Sequence, residues 1–203
     1  MSATTPRQTF LNPVIPFAGT ILGGLLPGEM VLIQGSVPSD ADRFQVDFTC
    51  GSSVKPRADV AFHFNPRFRR SACVVCNSLQ SERWGREEVL HAKPFAAGET
   101  FELIVLVLKD AFKVAVNGAH VLEYKHRVDL DRVDTLSISG KVHVGAVGIL
   151  ANTVRHTHTP HPPHRVNRLA ASNANAFTPA GRPTEASHHH GQEEIERMPP
   201  SVS

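Results

Sequence analysis

Tryptophan and tyrosine occur once each in the 203 residues, and cysteine only three times. Cys50, Cys73 and Cys76 cannot close a disulfide framework, and no Asn-x-Ser/Thr acceptor occurs anywhere, so two marks of the secretory pathway are missing. The longest wholly aliphatic run, 103–108, falls far short of the roughly 20 residues that cross a bilayer, which excludes a transmembrane helix. The first ten residues also lack the apolar stretch of about 7–15 that marks a secretory signal. A cytoplasmic protein is expected, with any extracellular pool reached by a route independent of a signal peptide. Charge of one sign is missing too. Lys and Arg number 21 against 19 Asp and Glu, a net of +2, too balanced for a protein that lives on a phosphate backbone. Neither nucleic acid nor membrane insertion is expected. Cys73 and Cys76 have the CxxC spacing, but their odd separation on an apolar strand sends the side chains to opposite faces, which fits inert thiols better than a metal or redox pair.

The composition divides the chain near residue 150. The 53 residues from 151 to 203 hold 7 of the 15 prolines and 7 of the 12 histidines, with few large apolar side chains. Such a segment cannot bury enough surface to offset its ordering entropy, so 151–203 is expected to be a disordered His/Pro-rich tail. Its histidines, His156, His158, His161, His164 and His188 to His190, have no preformed metal geometry, and no metal or cofactor is expected. Residues 1–11 are read as a flexible N-terminal arm and 12–150 as one domain.

Within 12–150, period-2 alternation recurs between turn residues and helical stripes are scarce. Phe44, Val46 and Phe48 alternate with Arg43, Gln45 and Asp47; Val60, Phe62 and Phe64 stand opposite His63 and Asn65. Asn117-Gly118 between two alternating runs is the strongest short hairpin signal. Further strands are predicted at 30–37, 72–79, 86–90, 101–108, 136–139 and 142–149. Ten or more short strands without helices make an all-β, two-sheet antiparallel sandwich.

His63, Asn65 and Arg67 lie at i, i+2 and i+4 of one predicted strand and therefore share a face. Imidazole, carboxamide and guanidinium then form a polar comb, expected to face solvent. Asn77 on the next strand, the lone Trp84, and Glu87 extend it. An exposed indole beside such a comb suits a flat ligand with one apolar face and a fringe of hydroxyls, which describes a pyranose. The C–H face of galactose can lie over the indole while its axial 4-hydroxyl points into the comb. An equatorial hydroxyl would leave desolvated groups unpaired, at about 1–3 kcal/mol each.

The strings His63-Phe64-Asn65-Pro66-Arg67, Val75-Cys76-Asn77 and Trp84-Gly85-Arg86-Glu87, in this order, resemble the carbohydrate-recognition signature of the galectins. The resemblance runs from Asn12 to Ile149. It implies a jelly-roll-like sandwich whose concave sheet binds β-galactosides without metal or cofactor. It further implies contacts from His63, Asn65 and Arg67 to the 4-hydroxyl, from Asn77 and Glu87 to the 6-hydroxyl and the neighbouring sugar, and stacking on Trp84. Within the family, segments 37–47 and 55–60 resemble the N-terminal domain of a two-domain member that favours galactose with 3-linked sialic acid or sulfate. There the anion is met by residues matching Arg43, Gln45 and Arg57. A guanidinium fork is the preferred partner of a planar carboxylate or a sulfate. Two departures stand out. Val89 occupies a position where many galectins have Arg, and 151–203 holds neither a second HxNPR nor another Trp, as in a single-domain form or a truncated relative.

The expected function is a metal-independent lectin, not an enzyme, whose partners are β-galactoside glycans on glycoproteins or glycolipids, with a homodimer as one source of multivalency. A glycosidase would need two carboxylates about 5–9.5 Å apart, and the comb's face supplies only Glu87. The remaining alternative is an intracellular adaptor that binds protein through the opposite sheet or the Pro-rich tail.

Overall fold

The computed structural model of the chain describes residues 5–152, so the expected tail lies outside the described residues from 153 onward. Two antiparallel sheets pack face to face. The first has six strands in the order β1 (Gln8–Leu11), β13 (His143–Leu150), β3 (Met30–Ser36), β9 (Thr100–Val107), β10 (Ala111–Val116) and β11 (Ala119–Lys125). The second runs β2 (Phe17–Thr20), β12 (Thr135–Gly140), β4 (Phe44–Thr49), β5 (Val60–Arg67), β6 (Cys73–Gln80) and β7 (Arg83–Trp84), with β8 (Glu88–Leu90) also on β6. Among the described residues the only helical element is a 3-10 turn at Leu130–Arg132. The all-β sandwich expected from the alternation is the fold observed.

Alternation explains the layering. On β4 and β5, Phe44, Phe48, Phe62 and Phe64 point inward and are buried to within 1%. Phe62 stacks on Phe112 at 5.0 Å and on Tyr124 at 4.9 Å between ring centroids, tying the seven-stranded sheet to β10 and β11 of the six-stranded one. Each such ring contributes about 1.5–3 kcal/mol through burial. The β10–β11 hairpin turns through Asn117 and Gly118 at φ +50° and +80°, the left-handed pair that a two-residue hairpin needs. Cys76 joins this core, where burial pushes its thiol up to about 12, so it stays protonated and inert, while Cys73 is half-buried on the other face.

The expected arm needs one correction. Gln8–Leu11 is a strand, paired from Gln8↔Ile149 to Leu11↔Ala146 on β13. Just before it, the Arg7 guanidinium donates to both carboxylate oxygens of the nearly buried Glu29, at 3.0 and 2.9 Å, and Phe10 meets Phe17 edge-on at 5.0 Å. These long-range anchors order a segment whose four residues are too short to display a period.

Candidate functional site

The outward face of the seven-stranded sheet carries a grid. Arg43 lies opposite Arg67 and Asp47 opposite His63, which places Gln45 beside Asn65 between them. On the other side of β5, His63 pairs with Asn77, Asn65 with Val75 and Arg67 with Cys73. Paired residues share a face, so one strand register brings three rows of side chains together. Next to the grid, Trp84 stands opposite Leu79, whose side chain supports the outward face rather than the main core.

Between Trp84 and Glu88 the edge strand bulges. Leu79 pairs with Trp84 and Cys76 with Glu88, so two residues of β6 face three residues, 85–87. A bulge re-aims side chains and is frequent beside functional sites. The Gly85 N–H donates to Ser78 O at 3.0 Å, and a Cβ on Gly85 would stand only 3.3 Å from Asn77 Oδ1. Glycine therefore lets the bulge close against β6. The preceding turn is also special: Ser81 and Glu82 adopt φ +49° and +61°, a conformation disfavoured for side-chain-bearing residues. It is fastened to the 50–59 segment twice, by Ser81 N–H to Asp59 Oδ1 at 2.9 Å and by Arg57 N–H to Glu82 Oε1 at 3.1 Å. The Arg57 guanidinium comes to rest over the Trp84 ring, 5.2 Å from its centroid.

The result is a cavity of about 400 Å³ lined by Arg43, Gln45, Arg57, His63, Asn65, Arg67, Asn77, Trp84, Gly85 and Glu87. All nine residues singled out from the sequence line it, and Gly85 is the only addition. Three guanidinium groups face it against one carboxylate, Glu87. Trp84 is 44% exposed, which leaves its ring open to the cavity.

The comb is less solvent-facing than expected. It points away from the core, yet His63 and Asn65 keep only 9% and 2% exposure. Flanking strands crowd these side chains, and hydrogen bonds hold them down. Asn65 Nδ2 donates to Phe44 O at 2.6 Å, and Arg67 Nε donates to Asn65 Oδ1 at 2.9 Å. That leaves the Arg67 Nη groups as the outer donors of its fork.

Sequence reasoning missed Asp47 as part of the site. Its Oδ1 bonds His63 Nδ1, and its Oδ2 accepts from Gln45 Nε2 at 2.9 Å. A carboxylate can only accept, so this bond is donated by His63 Nδ1–H, and Nε2 is the ring nitrogen left to face a ligand. The available signal was that Asp47 shares the alternate face with Arg43 and Gln45. Glu88, which directly follows the signature segment, is not among the lining residues; it pairs with Arg127 at 3.0 Å.

A pocket of this kind has fixed polar groups of both donor and acceptor type, one apolar plate and a cationic rim, so it can orient a hydroxylated group against a flat apolar surface. Residues 16–149 match the family model described as galactoside-binding lectin, and the chain belongs to that family. It is a family of carbohydrate-binding lectins, not of enzymes. The chain is 51% identical to galectin-8 of Rattus norvegicus over 148 residues, 73% of this chain and 47% of that protein, and 49% identical to galectin-12 of Homo sapiens over 140 residues, 68% and 42%. The matched part thus spans about half the length of these curated relatives. Among solved structures, sheep galectin-11 in complex with glycerol is 31% identical with a TM-score of 0.61, covering 66% of this chain and 97% of that one. Galectin LEC-6 of Caenorhabditis elegans is 27% identical with a TM-score of 0.64, covering 71% and 97%. The resemblance read from the signature strings is the relationship found.

Proposed function

We propose that the chain is a metal-independent lectin that seats a β-galactoside in the cavity over β4, β5 and β6. Galactose lays its C–H face on Trp84. Its axial 4-hydroxyl meets His63, Asn65 and Arg67, and its 6-hydroxyl meets Asn77 and Glu87. What carries this reading is the company Trp84 keeps: a half-exposed indole beside a buried, mutually hydrogen-bonded polar grid. A grid fixed before binding loses little further entropy on capture. It also discriminates, because a hydroxyl of the wrong orientation leaves its groups desolvated and unpaired.

The same reading extends to an anionic substituent. Arg43, Gln45 and Arg57 line one side of the cavity, and Arg57 is held at the rim by its backbone bond to Glu82. A sialic acid carboxylate or a sulfate on the galactose 3-hydroxyl would accept from these guanidinium groups. Several net hydrogen bonds of about 0.5–1.5 kcal/mol and one stacking contact give a single-site affinity on the order of mM to tens of μM. Biological strength then comes from multivalency, through a homodimer or clustered glycans on glycoproteins and glycolipids.

Calorimetric titration of the full chain tests both parts. Lactose is expected to bind within the stated range and 3′-sulfated lactose about ten-fold more tightly, as one charged hydrogen bond warrants. Arg57→Ala should lose the ten-fold gain and keep lactose. No heat with lactose, together with no retention on a galactose resin, overturns the lectin reading. Equal losses of both sugars in Arg57→Ala overturn the anionic part alone. The adaptor alternative would use the open cleft of about 670 Å³ on the six-stranded sheet, lined in part by Gln34, Glu102 and His143. Its signature is a purified protein partner that lactose does not displace.

A further inference from the structure

We infer that Arg127 is a positioning residue for the sugar site: it fixes which end of the Asn77 carboxamide faces the cavity and holds the 85–87 bulge in place. The inference rests on the galactoside reading and extends it to a residue about forty positions beyond the signature.

Arg127 follows β11 in the connection to the 3-10 turn, between two anchored neighbours. His126 sits edge-on to Phe112 with ring centroids 4.5 Å apart, and its backbone N–H donates to Asp110 O at 2.9 Å. Val128 is buried in the core. From this fixed base the guanidinium lies over the Tyr124 ring, 4.8 Å from its centroid. Tyr124 is itself immobilised, fully buried with its hydroxyl 2.7 Å from Ser78 Oγ.

From that plate the Arg127 fork reaches three acceptors on the far sheet. Nη1 donates to Asn77 Oδ1 at 3.1 Å and to Arg86 O at 2.7 Å, while Nη2 donates to Glu88 Oε1 at 3.0 Å. The bonds to Arg86 and Glu88 grip the bulge on both sides of Glu87. A Cβ on Gly85 would come within 3.2 Å of Nη1, so the glycine also makes room for the guanidinium.

The hydrogen-bond inventory of Asn77 then closes. Its Oδ1 accepts from Ser78 N–H at 2.8 Å and from Arg127, which fills both lone pairs. Its Nδ2 donates once, to Gly85 O at 2.9 Å, leaving one N–H for a ligand. Turning the carboxamide over would aim an NH2 group at a guanidinium and at the Ser78 N–H, three donors without an acceptor. Asn77 is therefore held as a donor toward the cavity, with the Glu87 carboxylate as the neighbouring acceptor. One donor beside one acceptor is the complement of a hydroxyl, which accepts through its oxygen and donates through its proton. Arg127 touches no ligand in this scheme and acts through Asn77 and the bulge.

The test compares methyl β-galactoside with its 6-deoxy counterpart by calorimetry, using the full chain and the variants Arg127→Met and Arg127→Lys. Removal of the guanidinium is expected to weaken methyl β-galactoside about ten-fold and to leave the 6-deoxy sugar within about two-fold, so that discrimination between the two collapses; one net hydrogen bond sets that scale. Arg127→Lys keeps the charge without the fork and guards against a folding defect. The second measurement is the Asn77 side-chain amide pair in nitrogen–proton correlation spectra of the ligand-free protein. Its two protons should be separate and slow to exchange in wild type and lose that protection in both variants, while the β4 and β5 amides hold theirs. Equal loss of both sugars, or Asn77 protons unchanged by the substitutions, overturns the inference. If wild type binds neither sugar, the galactoside reading fails by itself, and the Asn77 resonances still decide the part played by Arg127.

Discussion

The outward faces of the two sheets are made by the same pairing rules and end with opposite character. On the six-stranded sheet the outward cross-strand pairs are Met30↔Leu106, Leu32↔Ile104 and Gln34↔Glu102: half-buried aliphatics that cover one another, then an exposed polar pair at 3.2 Å. On the seven-stranded sheet the pairs are Arg43↔Arg67 and Asp47↔His63, with Gln45 and Asn65 between: Asp47, His63 and Asn65 are buried, Gln45 and Arg67 half-buried and Arg43 exposed, and side-chain bonds join Gln45 to Asp47, Asp47 to His63 and Arg67 to Asn65. The first face gains its order from apolar contact, and its polar groups stand at the exposed end of the rows rather than bonded among them. The second gains its order from directed bonds, and the groups left over after those bonds are what it presents. Burial by itself therefore does not separate structure from site. The kind of interaction that fixes the side chains does.

Two truncations should break this comparison in opposite directions. Trp84→Ala is expected to lower lactose affinity at least about thirty-fold, since both the stacking contact and the apolar floor go, with thermal stability nearly unchanged for a half-exposed ring. Leu32→Ala should do the reverse, losing about 1–2 kcal/mol of stability in urea for a half-buried aliphatic while lactose binding stays intact. If Trp84→Ala also unfolds the protein, the two faces do not divide their labour in this way.

A smaller effect sharpens the account of the polar face. Asp47→Asn keeps the shape of the side chain but replaces an obligate acceptor with a group able to donate to His63 Nδ1. That would release the ring to its other tautomer, with the proton on Nε2. Lactose affinity is expected to fall about ten-fold, the scale of one misdirected hydrogen bond, and imidazole nitrogen shifts should report the change of tautomer. Unchanged shifts would refute the orienting role of Asp47.

The smallest expected effect lies at the rim. The Arg132 guanidinium, hydrogen-bonded to Asp59 at 2.8 Å, and the Ser81 N–H both favour the ionised carboxylate and hold its pKa below the ordinary 3.8. A depressed carboxylate contributes stability above its unfolded value, and that contribution disappears as pH falls from there through the folded value. Asp59→Asn should therefore cost about 0.5 kcal/mol near neutrality, appropriate to a pair whose arginine is largely exposed, and the gap from wild type should narrow as pH falls below the ordinary carboxylate value of 3.8. A gap that widens in acid would contradict the assignment.

What the sequence made legible follows from where the signals live. β4, β5 and β10 alternate over five or more residues, long enough for period 2 to declare itself, and the hairpin dipeptide Asn117-Gly118 marks the turn into β11. β1, β2 and β7 have four, four and two residues, and their existence depends on partners such as Ile149 and Leu79 that no local pattern reveals. The site divides in the same way. His63, Asn65 and Arg67 sit on one strand at even spacing, so their shared face could be read directly. Asp47 and Arg127 reach the site through register and through a loop crossing between sheets, and both look like ordinary solvated charges in one dimension. The depth of His63 and Asn65 was equally hidden, because it depends on the strands to either side.

The chain contains one tryptophan, and Trp84 stands at the mouth of its cavity with a cation overhead. All of the protein's indole emission therefore originates at that one place. A sugar that settles on the ring displaces water from it and disturbs the nearby guanidinium, so wavelength and intensity should shift with occupancy. Without any label, the molecule carries an optical gauge of its own loading, readable in dilute solution and free of contributions from the rest of the fold.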